Sequence, residues 1–207
     1  MTTLAGKVMV VTGASRGIGK GVALGLGEAD ATVYITGRTV DALQPTVPLA
    51  GSIHETAAEV TRLGGRGIAV QRDHRVDEQV AALFEQIRRE HGKLDILVNN
   101  VWAGYERLHL DQADRWESPV WEQPLSVWDE MFMGVRAHYI ASALGAPLLI
   151  TNRSGLIVNI SFVAGREYMT NTAYGVSTVW QQIWRMNCAR TTWRRFRCIL
   201  VWCEPKA

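Results

Sequence analysis

Lys7-Val8-Met9-Val10-Val11-Thr12-Gly13-Ala14-Ser15-Arg16-Gly17-Ile18-Gly19 decides the reading of this chain. Its first half is a short apolar, β-branched run of the kind buried on both faces of a parallel sheet. The second half sets glycines in the order G-x-x-x-G-x-G between that strand and a helical stretch, Gly19 to Ala29. Glycines so placed let the backbone turn tightly and approach a pyrophosphate held at a helix N-terminus. The spacing alone says little; directly after a strand and opening a helix, it marks a nucleotide loop. Thr12, Gly13, Ser15, Arg16, Gly17, Ile18 and Gly19 are therefore candidate cofactor-binding residues.

Outward from this loop, strands and helices alternate. Ala31–Thr36 reads as the second strand, Ser52–Leu63 as a helix and Gly67–Gln71 as the third strand. Asp77–His91 is a helix with Val80, Leu83, Phe84 and Ile87 on one face, and Leu94–Asn99 is the fourth strand. A Trp-rich loop leads to a helix over Leu125–Leu149, and Gly155–Ser161 is the fifth strand. This order predicts an α/β fold, a Rossmann-like doubly wound parallel sheet with its ligand at the carboxyl ends of the strands.

The 207 residues, 47% apolar and 20% charged, suffice for one domain with a sizeable core. A net charge of +2 gives no reason to expect nucleic acid. No stretch approaches the ~20 apolar residues of a membrane span. No leader is read in Met1–Lys7, so the expected setting is cytoplasmic. The averages conceal a break, however. All 19 Gly lie at or before Gly175, whereas Cys188, Cys198 and Cys203 all follow it. After Ser177, five Arg and Lys206 stand against Glu204 alone, so a tail of +5 is joined to a body of −3. The expected division is a domain over 1–177 and an aberrant tail over 178–207.

Cofactor choice follows from charge. A site for an unphosphorylated ribose commonly ends the second strand with an acid; here that strand runs into Thr36-Gly37-Arg38. Arg16 and Arg38 together favour a 2′-phosphate, hence NADP(H) over NAD. Asp73, just past the third strand, is placed to accept from an adenine amino group, or else serves as a cap or surface charge. Asn99 and Asn100 close the fourth strand beside the loop.

Ser161 ends the fifth strand, and Tyr174 follows thirteen residues later in Ala173-Tyr174-Gly175-Val176-Ser177. With the Gly loop and Asn99-Asn100-Val101-Trp102-Ala103-Gly104, these positions resemble the short-chain dehydrogenase/reductase family over residues 5–177. In detail the chain is similar to the branch containing dehydrogenase/reductase SDR family member 1. That similarity rests on Tyr34-Ile35-Thr36-Gly37-Arg38, Trp102-Ala103-Gly104, Arg136-Ala137-His138-Tyr139 and Tyr174-Gly175-Val176. The resemblance implies hydride transfer between a nicotinamide and a small-molecule carbonyl or alcohol, with Tyr174 as acid/base and Ser161 binding the substrate oxygen. It also implies a homo-oligomer, a Lys four residues beyond the Tyr that lowers the phenol pKa, and an Asn that holds a relay water.

Two positions depart from that pattern. Gly134 stands where the Asn is expected, and Thr178 where the Lys is. Between Lys93 and Lys206 there is no Lys at all. A phenol ionises near pH 10, so only about one in a thousand is charged at pH 7 without a neighbouring cation. Impaired turnover is the expectation, and a non-catalytic nucleotide-binding protein the alternative.

The tail carries a trace of another frame. Joining the third base of each codon to the first two of the next, from Thr178 onward, forces Ala across Trp180/Gln181 and Glu across Met186/Asn187. It also forces Leu across Asn187/Cys188 and Val across Trp202/Cys203, and permits Pro-Gly across Ile199–Val201. The shifted frame reads as an amphipathic helix, a strand and a Pro-Gly loop, which the family's pattern needs next. A gene lesion just after the Ser177 codon accounts for this. It predicts that the last strands and helices are missing, that the fifth strand becomes an edge, and that an apolar oligomer face is left damaged.

The remaining candidates are plain ones. The five His lack paired spacing and read as surface or core residues, and the tail Cys lack zinc-ligand spacing, so no metal is expected. Trp102, Trp116, Trp121 and Trp128 belong either to the core or to a substrate pocket. If they line a pocket, a bulky lipophilic carbonyl is the favoured substrate.

Overall fold

Val8 and Val10 face one core and Met9 and Val11 another, because successive side chains of a strand point to opposite faces. In the computed structural model this strand, β1 (Val8–Val11), lies near the centre of a six-stranded parallel sheet of order β3-β2-β1-β4-β5-β6. The other strands are β2 (Thr32–Gly37), β3 (Arg66–Gln71), β4 (Ile96–Asn99), β5 (Gly155–Phe162) and β6 (Phe196–Cys203). The structure describes residues 3–41, 48–104, 116–152, 154–162, 164, 171–177 and 196–203.

Helices α1 (Gly17–Glu28) and α2 (Ile53–Arg62) cover the face presenting Met9, Val11, Val33 and Ile35, with Ala23, Ala57 and Val60 buried against it. Helices α3 (Asp77–His91) and α4 (Ser126–Thr151) cover the opposite face, where Val80, Leu83, Phe84, Ile87 and Leu149 pack on Val8, Val10, Leu97 and Ile157. Right-handed crossovers demand this arrangement: the sheet grows from β1 to β3 on one side, then returns to place β4 beside β1. The reversal opens a crevice at the carboxyl ends of β1 and β4. At the opposite ends, buried Asp95 ties the elements together. Its carboxylate accepts from Lys7 Nζ (2.9 Å), the Val8 N–H (3.0 Å) and Asn152 Nδ2 (2.8 Å). Burial raises the Asp95 carboxyl, but the bonds from Lys7, Val8 and Asn152 and the charge of Lys93 outweigh it and hold the group below its ordinary range.

One expectation is corrected. The tail reading finds no strand after Ser177 and leaves β5 as an edge; instead β6 pairs with β5 in parallel along its whole length, from Gly155 opposite Phe196 to Phe162 opposite Cys203. Phe196-Arg197-Cys198-Ile199-Leu200-Val201-Trp202-Cys203 is rich in aromatic and β-branched residues, and its backbone satisfies the open groups of β5. Residues 178–195, on which the shifted frame's helix falls, lie outside the described residues.

Candidate active site

Thr12, at the end of β1, is buried and accepts the Asn100 N–H on Oγ1 (2.9 Å). Asn100 answers with its amide, Nδ2 donating to the carbonyls of Thr12 (3.1 Å) and Gly13 (2.9 Å). These bonds stitch the ends of β1 and β4 together beneath the Gly loop. Gly17 turns the chain into α1 at φ +56°, a conformation that costs a side chain energy. At Gly19 a Cβ would stand 2.4 Å from Asn100 Nδ2 and 2.6 Å from the Gly13 carbonyl, so only glycine lets α1 sit this close. No side chain caps the α1 N-terminus and its first turn holds no acid, which leaves its N–H groups directed at an incoming anion. Ile18 is 48% exposed beside them.

Arg16 is the N-cap of α1. Its Nη2 donates to Thr39 Oγ1 and to the Gly51 carbonyl, both at 3.0 Å, so one guanidinium spans the segments after β2 and before α2. An open cleft of about 410 Å³ lies against Ser15, Arg16, Lys20, Gly51 and Glu55. Arg38 is half-buried just past β2, and its charge helps hold down the carboxyl of Asp73. That carboxylate is engaged locally: Arg75 Nε and Nη2 grip it at 3.0 and 2.5 Å, while the Asp73 N–H donates to Gln79 Oε1. Burial raises Asp73, and the Arg75 bonds outweigh that effect and lower it. Asn99 stands apart from the loop. Fully buried, its Nδ2 donates to Ser142 Oγ and Asn159 Oδ1, each at 2.8 Å, so it is a strut joining β4, β5 and α4.

Across the crevice, Ser161 sits near the carboxyl end of β5, 7% exposed, and its enclosed Oγ has no hydrogen-bond partner among the described residues. Tyr174 lies on a helical turn over 172–177. Asn171, three residues before it and buried, caps this turn by accepting the Tyr174 N–H on Oδ1 (3.0 Å). Its amide meanwhile donates to the Trp116 carbonyl and to Gln123 Oε1, both at 3.2 Å. The Tyr174 ring centroid is 5.9 Å from Phe162, the neighbour of Ser161, and 5.6 Å from both Trp102 and Trp116. The fold thus brings Ser161 and Tyr174 to one end of the sheet. Asn171 and Gln123 are absent from the sequence reading; the cap signal of Asn171 before an α-turn could have revealed the first.

Gly134 on α4 faces the backbone of the segment after β4, where a Cβ would meet the Val101 carbonyl at 3.6 Å. One turn further, His138 Nε2 donates to that carbonyl at 2.9 Å. Burial lowers His138 to about 4, and burial together with the neighbouring His138 lowers His74, which bonds Thr36 Oγ1, to about 4. Both are core histidines, as the sequence reading allowed. Thr178 lies outside the described residues. Among them no group of three His, Cys, Asp or Glu could hold a metal, and no helix is long and apolar enough to cross a membrane.

Residues 7–179 match the family described as short chain dehydrogenase. Dehydrogenase/reductase SDR family member 1 of Mus musculus is 45% identical over 173 residues, 83% of this chain and 51% of that protein. Its Homo sapiens counterpart is 41% identical over 200 residues, 95% and 59% respectively, so that match runs past residue 179. The chain spans little more than half the length of these relatives. Among solved structures, a metagenomic short-chain oxidoreductase in complex with NADP superposes with a TM-score of 0.79 at 28% identity, over 99% of this chain and 84% of that one. The branch read from Tyr34–Arg38 and Arg136–Tyr139 is the branch these relatives represent. By sequence match and by fold alike, the chain belongs to the short-chain dehydrogenase family.

Proposed function

We infer that the chain is an NADP(H)-binding oxidoreductase by descent, acting between a carbonyl and its alcohol, whose turnover is impaired by the loss of the cation beside Tyr174. The observation that carries this is the unpartnered Oγ of buried Ser161 at the end of β5, with the Tyr174 ring packed on the adjoining Phe162. A buried hydroxyl without a partner is costly, and a substrate oxygen would satisfy it. The uncapped α1 N-terminus and the close-fitting Gly19 suit a dinucleotide pyrophosphate, and Arg16 and Arg38 suit a 2′-phosphate. NADP in the metagenomic relative supports the same choice.

When bound, NADPH supplies two electrons and a hydrogen to the carbonyl carbon. Tyr174 gives its phenolic proton to the carbonyl oxygen, so that an alcohol leaves and a phenolate remains, to be reprotonated from solvent. Ser161 donates to the same oxygen and fixes its position, and the Trp102, Trp116 and Phe162 rings pack around the Tyr174 ring. Thr178 offers no charge to stabilise that phenolate. This feature also favours the second reading, a nucleotide-binding protein without catalysis. The glycine and charge distributions break after Ser177, which is what a frame-shifted tail over 178–207 would give.

The experiment is a cofactor titration followed by turnover. The chain should bind NADPH more tightly than NADH, and Arg16→Ala should erase most of that preference. A version carrying the shifted frame with the Lys restored should reduce ketones, and Tyr174→Phe in it should slow reduction by about 10²–10⁴. No activity in the repaired version would favour the non-catalytic reading.

A further inference from the structure

Gly134, His138 and Ser142 stand four apart on α4, and all three are buried. Four helical residues rise about 6 Å and two extended residues about 6.6 Å, so one helix face can meet alternate residues of a chain running the other way. That pattern is present here. Ser142 Oγ accepts from Asn99 Nδ2 at 2.8 Å, and His138 Nε2 bonds the Val101 carbonyl at 2.9 Å. At Gly134 a Cβ would stand 3.6 Å from that carbonyl and 3.7 Å from the Ala103 nitrogen. The three rungs differ in what they hold. Gly134 has no side chain to grip its neighbour, and Ser142 reaches a residue inside the sheet. His138 is the rung that takes hold of the segment beyond β4.

A carbonyl oxygen only accepts, so Nε2 of His138 carries the proton. The helix behind it is anchored on both sides. Ala141, Leu148 and Leu149 close into the core with Leu97 and Ile157, and Arg136 forks onto Asp77 of α3 with two bonds of 2.6 Å. What Val101 touches gives the grip its consequence. Its N–H donates to Thr12 Oγ1 at 3.4 Å, and a Cβ on Gly13 would stand 3.2 Å from Val101 Cα and 3.3 Å from its Cγ2. Val101 therefore rests on the first glycine of the loop, on the β4 side of β1, whereas Arg38 and the Arg16–Thr39 bond lie past β2 on the other flank. We propose that His138 is a positioning residue for the dinucleotide: by holding Val101 from α4 it sets the segment after β4 against Gly13, and so shapes the side of the crevice that takes the cofactor beyond its adenosine. This rests on the reading of the Gly loop as an NADP(H) site, with the 2′-phosphate left to Arg16 and Arg38.

Calorimetric titration of the full chain tests this with two probes, NADP⁺ and adenosine 2′,5′-bisphosphate, which keeps the 2′-phosphate end and lacks the nicotinamide half. His138→Leu, without a donor, should weaken NADP⁺ about tenfold and leave the bisphosphate within about twofold. His138→Gln, whose amide still donates, should return NADP⁺ to within about threefold. Ser142→Ala removes the neighbouring rung and should leave both affinities within about twofold. A purely structural role would not separate the two probes. Unchanged NADP⁺ affinity in His138→Leu, equal losses for both probes in a variant that still melts cooperatively, or the same loss in Leu and Gln would overturn the proposal. Should His138→Leu fail to fold, imidazole NMR of the unaltered chain decides. The Nε2–H resonance of His138, identified by its absence in His138→Gln, should shift with NADP⁺ and stay in place with the bisphosphate; no shift with NADP⁺ overturns the proposal. An unaltered chain that binds neither probe would overturn the cofactor reading itself, and this inference with it.

Discussion

Single residues at the strand ends hold the crevice in shape, and their costs can be measured. Asn99 donates from full burial to Ser142 and Asn159. Asn99→Ala strands both acceptors and opens a void, and should lower the unfolding free energy by about 2–3 kcal/mol in urea titrations. The histidines make a second case. Free imidazoles ionise near 6.5, whereas burial holds His74 and His138 at about 4. Between those values the unfolded chain takes up protons that the native state refuses. The stability contributed by the neutral rings is therefore complete above pH 6.5 and drains away as pH falls toward 4. The urea midpoint should drop between pH 7 and pH 5, and His74→Gln should flatten that fall; an equally steep fall in the variant would refute the assignment. At this scale the sequence was only half legible. The Gly loop was readable because its spacing is local to a strand–helix joint, whereas Ser161 and Tyr174 came in only through the resemblance to the family. The inward turn of Asn99 was not readable, since β4 is buried on both faces and no alternation shows which way a side chain points. The grip of Arg75 on Asp73 and the span of Arg16 from Thr39 to Gly51 depend on tertiary neighbours.

Secondary elements carry the next level. Asp95 joins β1, through the Val8 N–H, to the end of α4, through Asn152, and its own carbonyl accepts from Leu156 of β5 at 3.0 Å. Because its folded carboxyl is depressed, its contribution is present above the ordinary carboxylate range and is lost as pH falls through the lowered value. Asp95→Asn should cost about 1–3 kcal/mol at neutral pH, and less in acid, where the native carboxylate is itself protonated. The elements from β1 to β5 were legible, the strands as apolar runs and α3 from the apolar face of Val80, Leu83, Phe84 and Ile87; Gly92, in the left-handed conformation, ends that helix. β6 was not, since arginines on its N-terminal side and the absence of any turn signal masked a strand that exists by pairing with β5. A chain ending at residue 195 should test that pairing: with the eight-residue edge of β5 uncovered, light scattering at equal concentration should rise well above that of the full chain.

For the whole molecule, one sheet supports two half-sites that have fared differently. The nucleotide half, from Thr12 to Asp73, is assembled from β1 to β3 and retains its hydrogen bonds and its arginines. On the proposed function, the reacting half holds Ser161 and Tyr174 but has Thr178 where the family pattern puts a cation. Binding and turnover should accordingly separate. The direct test is the initial rate of NADPH oxidation with 9-fluorenone, for the purified 207-residue chain and for its frame-restored, Lys-bearing counterpart at equal cofactor occupancy. The restored chain should turn over about 10²–10⁴ times faster, with NADPH affinity within about threefold. Reduction by the chain as it stands at an ordinary enzymatic rate, about 10 s⁻¹, would show that Tyr174 needs no neighbouring cation and would contradict the account.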